Sequence, residues 1–320
     1  MKAAVVHEIG GTPRVEEVPA PVPGEGEVLV RVLAAPINAV DKSRVAGTHY
    51  SRPQLPAVAG FLGAGETGDG RRVIFLSMDA GSMAEQVAVG PAQLIPLPDE
   101  IDPAVAAGAF NAGMSAWFAV HHRGPVQPGS RVLIQGATGV TGKLAVQLAH
   151  LRGAGRLTAT GRNQSTLDEL LELGADATIR VDQPDEALAR AYREQEGEGW
   201  DLIIDYLWGH PTEVLLETLI RRDLEGRSLH TRLVEVGAMA GPDLALPAEV
   251  LRSAGLEIVG MGTGTGAGAG AREQFAAAIR EFYELLRTGA IRVDIERVPL
   301  DRVAEIWHRD QGGRRPVLIP

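Results

Sequence analysis

The sequence predicts an α/β protein that combines a β-rich region with a doubly wound sheet of parallel strands. Residues 1 to about 110 are rich in Pro and Gly and hold short β-like runs, with no long helical stripe. From about residue 111, short apolar runs alternate with stretches of helical period. This alternation indicates parallel strands covered by helices on both faces. A glycine-rich turn separates the first such strand from the first such helix.

The β-rich region contains four short runs of strand character, which read KAAVVHEI, EVLVRVLAAPI, RRVIFL and AEQVAV. Strand-like pieces near the C-terminus, within IRVDIERVPL, RVAEIWH and RPVLIP, resemble them. We therefore expect the C-terminal residues to return and complete this region. The low-complexity run at 262–270 is predicted to be a mobile connector, and a helix is predicted at about 271–288.

The alternating region begins with a buried strand at Arg131–Ile134, since a short β-branched apolar run is typical of a strand covered on both faces. A helix follows, because apolar residues recur at intervals of three and four from Val140 to Leu151. Further strands are predicted at 156–160, 176–181, 200–206, 231–237 and 256–262. The intervening helices are predicted at 164–173, 184–195, 211–221 and 247–254.

The first strand-to-helix turn matches the pattern G-x-G-x-x-G, with alanine in the first place. Small residues at such a turn let the chain reverse, let the backbone approach a pyrophosphate and let the helix pack on the strand. The helix N-terminus adds free N–H groups and a positive dipole end. We therefore predict a dinucleotide site formed by Ala137, Thr138, Gly139, Val140 and Gly142. A tight turn that binds nothing is the alternative.

The end of the second strand distinguishes the two nicotinamide dinucleotides. An NAD-binding chain usually places Asp or Glu there to hold the ribose 2′-hydroxyl. This chain has no acid at that point and reads TATGRNQST, with Gly161, Arg162 and Asn163. A carboxylate would repel a 2′-phosphate, whereas a guanidinium binds it through two hydrogen bonds. The sequence therefore predicts NADPH as the cofactor, with an ordinary surface arginine as the alternative for Arg162.

Composition limits the class of protein. A chain of 320 residues is long enough for two domains. The absence of cysteine excludes disulfides, thiolate nucleophiles and cysteine-ligated zinc. A net charge of −10 argues against a nucleic-acid partner. No apolar run is long enough to span a bilayer and the first residues lack a signal-peptide layout, so we expect a cytoplasmic protein with no membrane partner.

Three segments occur in an order that resembles the medium-chain dehydrogenase/reductase superfamily, and more narrowly its zinc-independent quinone oxidoreductase branch. They read APINAVDKSRVAGTHY, AEQVAVGPAQLIPLPDEIDPAVAA and VLIQGATGVTGKLAVQLAHLRGA. The resemblance implies a GroES-like catalytic domain at 1–110, completed by 265–320, and a Rossmann NADP-binding domain at 111–264. It also implies an active cleft at their junction and a homodimer. The zinc branch needs cysteine and a Gly-His-Glu element, but this chain has AGFLGAG there, so no metal site is expected.

The resemblance also implies catalytic residues. Asn38 falls at the asparagine of the loop that lines the cleft in the family, and His49 or Tyr50 falls at a tyrosine position. A second family tyrosine is replaced by Ser43. We expect Asn38 and Tyr50 to donate hydrogen bonds to an oxygen that becomes negative during reduction. Each of them could equally stabilise its own turn.

Further cofactor contacts are implied by the same resemblance. The segment of Gly237, Ala238 and Met239 corresponds to the one that passes over the nicotinamide, with a plain loop as the alternative. Asn111 is expected either to reach the cofactor or to cap the helix that it starts. Arg315 falls where relatives often place a lysine that faces the cofactor phosphate, with a solvated terminal arginine as the alternative.

The predicted function is NADPH-dependent hydride transfer, without zinc, to a small substrate that is a quinone or an α,β-unsaturated carbonyl compound. About a dozen family residues are missing between Gly60 and RRVIF, so the pocket is expected to be more open. The alternative is an NADP(H)-binding sensor or structural protein of the same fold with little catalysis, because a fold does not determine function.

Overall fold

The computed structural model describes residues 1–220, 230–262 and 271–320. These residues form two compact units. Unit 1 comprises Met1–Asn111 and Leu285–Pro320, and unit 2 comprises Ala112–Glu284. Residues 271–284 therefore belong to unit 2, whereas the predicted first domain includes everything from 265 onward. The connector predicted at 262–270 lies outside the described residues from 263 onward, as does position 221 at the end of a predicted helix.

The described strands and helices follow one another much as the sequence predicts. In chain order the strands are β1 (Lys2–Val6), β2 (Arg14–Glu17), β3 (Val28–Pro36), β4 (Ala57–Val58), β5 (Leu62–Thr67), β6 (Arg72–Leu76), β7 (Gln86–Val89), β8 (Leu94–Pro96), β9 (Arg131–Gln135), β10 (Arg156–Gly161), β11 (Ala177–Arg180), β12 (Leu202–Asp205), β13 (Thr231–Glu235), β14 (Leu256–Gly260), β15 (Ile295–Pro299) and β16 (Arg315–Ile319). The α-helices are α1 (Ala39–Val45), α2 (Pro103–Phe118), α3 (Val140–Leu151), α4 (Gln164–Glu172), α5 (Asp185–Glu196), α6 (Gly209–Thr218), α7 (Ala248–Ser253), α8 (Ala271–Arg287) and α9 (Val303–Ile306).

Unit 1 is built on two sheets. The smaller is antiparallel and has the order β2-β1-β4. The larger has the order β15-β16-β3-β5-β6-β8, and β7 also pairs with β3. Leu318 of β16 lies opposite Ala35 of β3 in antiparallel register, so the C-terminal strand completes a sheet that begins near the N-terminus. Val30, Phe75 and Leu318 belong to the same buried core, which makes these distant segments one folding unit.

A tight turn joins β5 to β6, at the place where the sequence lacks about a dozen family residues. The Thr67 N–H donates to the Arg71 carbonyl at 3.0 Å, and the Gly70 N–H donates to the Thr67 carbonyl at 2.8 Å. The β5 strand also packs very closely, since a Cβ on Gly65 would lie 2.3 Å from the Val30 side chain. The shortened segment is therefore a closed hairpin.

Unit 2 contains a six-stranded sheet in which every neighbouring pair is parallel. Its order is β11-β10-β9-β12-β13-β14. Numbered by appearance within the unit, this is the 3-2-1-4-5-6 order of doubly wound dinucleotide-binding folds, so the predicted fold class is confirmed. β9 and β10 are buried almost throughout, as expected for central strands of a parallel sheet. The strand order reverses around β9, and such sheets bind ligands beyond the carboxyl ends of the strands at that reversal.

Helix α2 begins at Pro103, and the prediction that Asn111 starts and caps it is wrong. The Asp102 carboxylate accepts the backbone N–H groups of Ala104 and Val105, each at 3.0 Å. An acid before a proline at the first helical position is a strong N-terminal signal, so the sequence IDPAVAA did contain this boundary. Among the described helices, none has the length and apolarity needed to cross a membrane.

Candidate nucleotide-binding and active site

The turn between β9 and α3 depends on one left-handed residue, Gly136, whose φ is +77°. This conformation is strongly unfavourable for most side chains. The turn is also tied to the neighbouring strand, because the Gly136 N–H donates to the Thr160 hydroxyl at 3.0 Å and the Ala137 N–H to the Thr160 carbonyl at 2.7 Å. The predicted motif begins at Ala137 and does not include Gly136, although a glycine directly after an apolar strand is a signal for such a turn.

The two later glycines of the motif have different roles. Gly139 precedes α3 with φ −81° and ψ 166°, a conformation open to any residue. A Cβ at Gly139 would meet no described atom within 4 Å, so its position faces open space. By contrast, a Cβ on Gly142 would lie 2.4 Å from the Ala137 Cα. Gly142 is therefore required for α3 to pack against the turn. At Gly139, neither the backbone conformation nor the packing of the described residues requires a glycine.

This geometry fits the pyrophosphate of a dinucleotide. Within the described residues no side chain caps α3, so its first backbone N–H groups are available to a ligand. A helix of 12 residues presents the positive end of its dipole at the same place. Val140 and Ala137 are buried, which leaves backbone N–H groups as the binding groups, and the half-buried Thr138 can add a hydroxyl.

The end of β10 packs directly against this turn. A Cβ on Gly161 would lie 2.1 Å from the Thr138 side chain, so only glycine fits between them. Arg162 follows and is exposed. The Asn163 side chain caps α4, since its Oδ1 accepts the Thr166 N–H at 3.3 Å and the Ser165 hydroxyl at 2.6 Å. A cofactor contact by Asn163 stays a prediction, alongside this structural role.

A second arginine, Arg180, lies beside this strand end and is not among the predicted site residues. Gly161 of β10 is opposite Arg180 of β11 in the parallel register. The Arg180 guanidinium donates from Nε to Oδ1 of Asp182 at 3.0 Å and from Nη2 to Oδ2 at 2.7 Å. The only sequence signal was the position of Arg180 at the carboxyl end of a strand adjacent to β10.

The segment after β13 lies along the carboxyl end of β12. The Val236 N–H donates to the Asp205 carbonyl at 2.8 Å, and the Met239 N–H donates to the Tyr206 carbonyl at 3.2 Å. Ala238 and Met239 are exposed, and Gly237 is half-buried. The structure thus brings Gly237, Ala238 and Met239 to the ligand-binding edge of the sheet, and their contact with a nicotinamide stays a prediction.

A buried carboxylate anchors the same edge and was not anticipated. Oδ2 of Asp205 accepts the Thr212 hydroxyl at 2.6 Å, while Oδ1 accepts the backbone N–H groups of Leu207 and Trp208 at 2.8 and 3.1 Å. Burial raises the pKa of Asp205, although these hydrogen bonds act in the opposite direction. Trp208 has a φ of +53°, which is a strained conformation for a bulky residue. Asp205 therefore holds an unfavourable piece of backbone in place.

In unit 1, Asn38 lies immediately before α1 with an exposed fraction of 1%. Its backbone N–H donates to Oδ2 of Asp41 at 2.7 Å. Neither atom of its side-chain amide meets the geometry of a hydrogen bond within the described residues, although the amide lies near the Asp41 carboxylate and lowers its pKa. Buried polar atoms are rarely left unpaired, because desolvation without a partner is costly. The Asn38 amide is therefore a candidate for contact with a ligand.

Arg315 is buried close to this asparagine, with an exposed fraction of 5%. Its Nη1 donates to the Ile37 carbonyl at 2.8 Å, so the alternative of a solvated terminal arginine is wrong. Burial raises the pKa of Asp41 to about 6, against the opposing effects of the Asn38 backbone N–H, the Asn38 side-chain amide and the positive charges of Arg315 and Arg44. Burial likewise lowers the pKa of Arg315 to about 10. A phosphate contact by Arg315 stays a prediction.

Tyr50 is in a different environment from Asn38. Its side chain is 81% exposed, and its ring lies 3.9 Å from the His49 ring at an angle of 34°. The His49 Nδ1 also accepts the Ser51 N–H at 3.1 Å. The two residues predicted to be catalytic therefore comprise one buried, unpaired amide and one exposed phenol.

Two further expectations concern Asn111 and metals. Asn111 is half-buried in the interior of α2, and its contact with a cofactor stays a prediction. Across the described ranges, no cluster of three or more His, Asp or Glu side chains is arranged to hold a metal ion.

The strand order and the turn define a two-unit protein whose parallel sheet is built to bind a dinucleotide. A family described as zinc-binding dehydrogenase matches residues 140–284. Quinone oxidoreductase from Lama guanicoe is 27% identical over 338 residues, which cover 100% of this chain and 97% of that protein.

Two solved structures are similar to this chain over its whole length. A mycobacterial protein complexed with NADPH is 25% identical, with a TM-score of 0.83 and coverage of 100% of both chains. The quinone oxidoreductase of Thermus thermophilus, also solved with NADPH, is 25% identical, with a TM-score of 0.76 and coverage of 100% of both chains. Over its whole length, the chain is similar in sequence and fold to quinone oxidoreductases of the medium-chain dehydrogenase/reductase superfamily.

Proposed function

We propose that this protein is an NADPH-dependent reductase that transfers hydride, without zinc, to quinones or α,β-unsaturated carbonyl compounds. The observation that carries the proposal is the open space at Gly139 in front of the uncapped N-terminus of α3. Support comes from Arg162, which stands where an NAD-binding chain would usually have an acid. The similarity to quinone oxidoreductases and to structures complexed with NADPH supports the same proposal.

In this proposal the cofactor is held mainly by backbone. The first N–H groups of α3 bind the pyrophosphate, and Arg162 binds the 2′-phosphate. The segment from Gly237 to Met239 lies against the nicotinamide, where its small residues permit close approach. Bound NADPH supplies the hydride.

The residues of unit 1 then stabilise the acceptor. An electron-poor alkene or quinone that gains a hydride develops negative charge on a carbonyl oxygen. The Asn38 amide is buried and unpaired, so it can donate a hydrogen bond to this oxygen. Tyr50 is largely exposed, and this exposure supports water as the source of the proton that follows.

The cofactor site is tested with Gly139→Val. Its backbone conformation accepts valine and its Cβ meets no described atom, so the fold should persist while the side chain fills the pyrophosphate position. Gly260→Val is the matched control, because a Cβ at that glycine of β14 also meets no described atom within 4 Å. Calorimetric titration should show NADPH binding lost only in Gly139→Val. Normal binding by this variant would mean that the turn is purely structural.

The catalytic assignment is tested by Asn38→Ala and Tyr50→Phe, with turnover followed by the absorbance of NADPH. Loss of one donor to a developing oxyanion costs on the order of a hundredfold in kcat. We expect that loss in Asn38→Ala with unchanged NADPH affinity, and only a small loss in Tyr50→Phe. Activity should also survive EDTA. Restoration by zinc after inactivation with EDTA would overturn the metal-free proposal.

A second candidate is an NADP(H)-binding protein with little catalysis. It is favoured by Ser43 at a family tyrosine position and by the tight hairpin between β5 and β6. A panel of quinones and enals separates the candidates. Stoichiometric NADPH binding without oxidation by any acceptor would support the second candidate.

A further inference from the structure

Arg162 and Arg180 stand at the carboxyl ends of the neighbouring strands β10 and β11. The strands pair in register with Gly161 opposite Arg180, and the ladder continues when the Val181 N–H donates to the Gly161 carbonyl at 2.9 Å. Arg162 directly follows Gly161, and both arginines are exposed. The positive charge of Arg162 acts on Asp182, the partner of Arg180, so the three charged groups share one electrostatic environment.

The Arg180 guanidinium is already occupied by an anion. It donates two hydrogen bonds to the Asp182 carboxylate, at 3.0 and 2.7 Å. A guanidinium binds phosphate through the same two-pronged arrangement. The segment that follows β11 is held by a further hydrogen bond, because the Gln183 side-chain amide donates to the Arg180 carbonyl at 2.7 Å. The hydrogen bond from Arg180 lowers the pKa of Asp182, so this carboxylate is ionised at neutral pH.

We propose that Arg180 is a second contact for the 2′-phosphate of NADPH and that Asp182 competes with this phosphate for Arg180. This inference rests on the proposed function, because it requires NADPH at the turn after β9. A phosphate monoester carries about two negative charges and three acceptor oxygens, so it outcompetes one carboxylate for a guanidinium. NADH lacks this phosphate and leaves the pair between Arg180 and Asp182 intact. Asp182 therefore limits the preference for NADPH without affecting NADH.

The test is a calorimetric titration of NADPH and NADH into the wild type, Asp182→Asn, Arg180→Ala and the double variant. An exposed ion pair contributes up to about fivefold in affinity, so Asp182→Asn should bind NADPH about three- to fivefold more tightly. Arg180→Ala should bind NADPH about fivefold more weakly, because a charge-assisted contact at an exposed site is lost. NADH affinity should change less than about twofold in either variant. Both effects should shrink at high salt.

The double variant distinguishes competition of Asp182 with the 2′-phosphate for Arg180 from direct repulsion between Asp182 and the phosphate. If Asp182 acts through Arg180, Asp182→Asn should give little gain once Arg180 is alanine. Glu257→Gln is the matched control, since it removes a carboxylate that pairs with Arg232 at 2.8 Å near the opposite edge of the sheet. That control should leave both affinities unchanged.

Three results would overturn the inference while leaving the proposed function intact. They are an unchanged ratio of NADPH to NADH affinity in Asp182→Asn, an undiminished gain in the double variant, and an equal gain in Glu257→Gln. Failure of the proposed function looks different, because the wild type would then bind neither dinucleotide or would bind NADPH without oxidation by any quinone or enal. Thermal unfolding of each variant checks the fold, and the exposed positions of Arg180 and Asp182 predict little change.

Discussion

The glycine-rich turn of unit 2 and the buried cluster around α1 of unit 1 present candidate ligand-binding groups in opposite ways. The turn offers backbone N–H groups, and its central position, Gly139, faces open space. The cluster offers a side chain, since Asn38 is 1% exposed and unpaired among the described residues. Around it lie Asp41 and Arg315, which are charged and buried.

This difference determines how each site can fail. A backbone site depends on volume, because any side chain that fills the space removes the ligand without changing a charge. A side-chain site depends on charge balance, because burial makes each ionised group costly unless its partners remain. We therefore expect substitutions at the turn to act through steric fit, and those in the cluster to act through pH and stability.

The largest expected effect concerns Asp205, a buried carboxyl group at the end of β12, and it would show that unit 2 also depends on a buried side chain. Asp205→Ala should lower the free energy of unfolding by about 4 kcal/mol, since the Thr212 hydroxyl and two backbone N–H groups lose their acceptor. Asp205→Asn keeps one acceptor oxygen and should cost much less. Denaturant unfolding measures both. A cost below about 1 kcal/mol for alanine would show that water replaces the carboxylate.

The next effect separates the two glycines of the turn. Gly142→Ala should destabilise the protein by about 3 kcal/mol, because the new Cβ would lie 2.4 Å from the backbone of Ala137. In a helix this substitution normally stabilises by about 1 kcal/mol, so the sign itself is diagnostic. Gly139→Ala is the control and should leave stability nearly unchanged. Unfolding without cofactor is the measurement, and a more stable Gly142→Ala would contradict the packing role.

The third effect concerns the cluster and its pH dependence. The pKa of Asp41 is raised from 3.8 to about 6 by burial, so the folded state holds this proton more tightly than the unfolded state. The resulting stability is full below pH 3.8 and is lost as pH rises through 6. Between these limits the wild type should lose up to about 3 kcal/mol relative to Asp41→Asn. Unfolding curves from pH 4 to 7 measure the difference. A relative gain by the wild type over this range would show that Arg315 and Arg44 outweigh desolvation.

Much of unit 2 could be predicted from the sequence, because its signals are local. Apolar residues that recur with a period of a few residues predict a helix or a strand, and small residues at fixed spacing predict the turn. The predicted helix at 164–173 and the observed α4 differ by a single residue for this reason. Gly136 was missed because its role depends on φ, which the pattern does not report.

The cluster could not be predicted in the same way, because its partners are distant in sequence. Arg315 donates to Ile37, which is 278 residues away. A C-terminal arginine carries no local sign that a sheet will bury it, so a solvated side chain was a reasonable expectation. Asp205 is similar, since its burial and its support of Trp208 become visible only when β12 and α6 are placed.

The smallest expected effect decides between two roles for Asn163, which the sequence assigns to the cofactor and the structure to a helix cap. Asn163→Ala should cost about 1 kcal/mol of stability, because the Thr166 N–H loses its acceptor. If capping is the main role, NADPH affinity should change less than about twofold. Asn163→Asp should keep the cap, since aspartate is an equally good N-cap residue. It also places a negative charge next to Arg162, so NADPH binding should weaken by about fivefold while NADH binding is spared. A tenfold loss of NADPH affinity in Asn163→Ala at unchanged stability would reverse the assignment, because the amide would then contact the cofactor and leave α4 uncapped without cost.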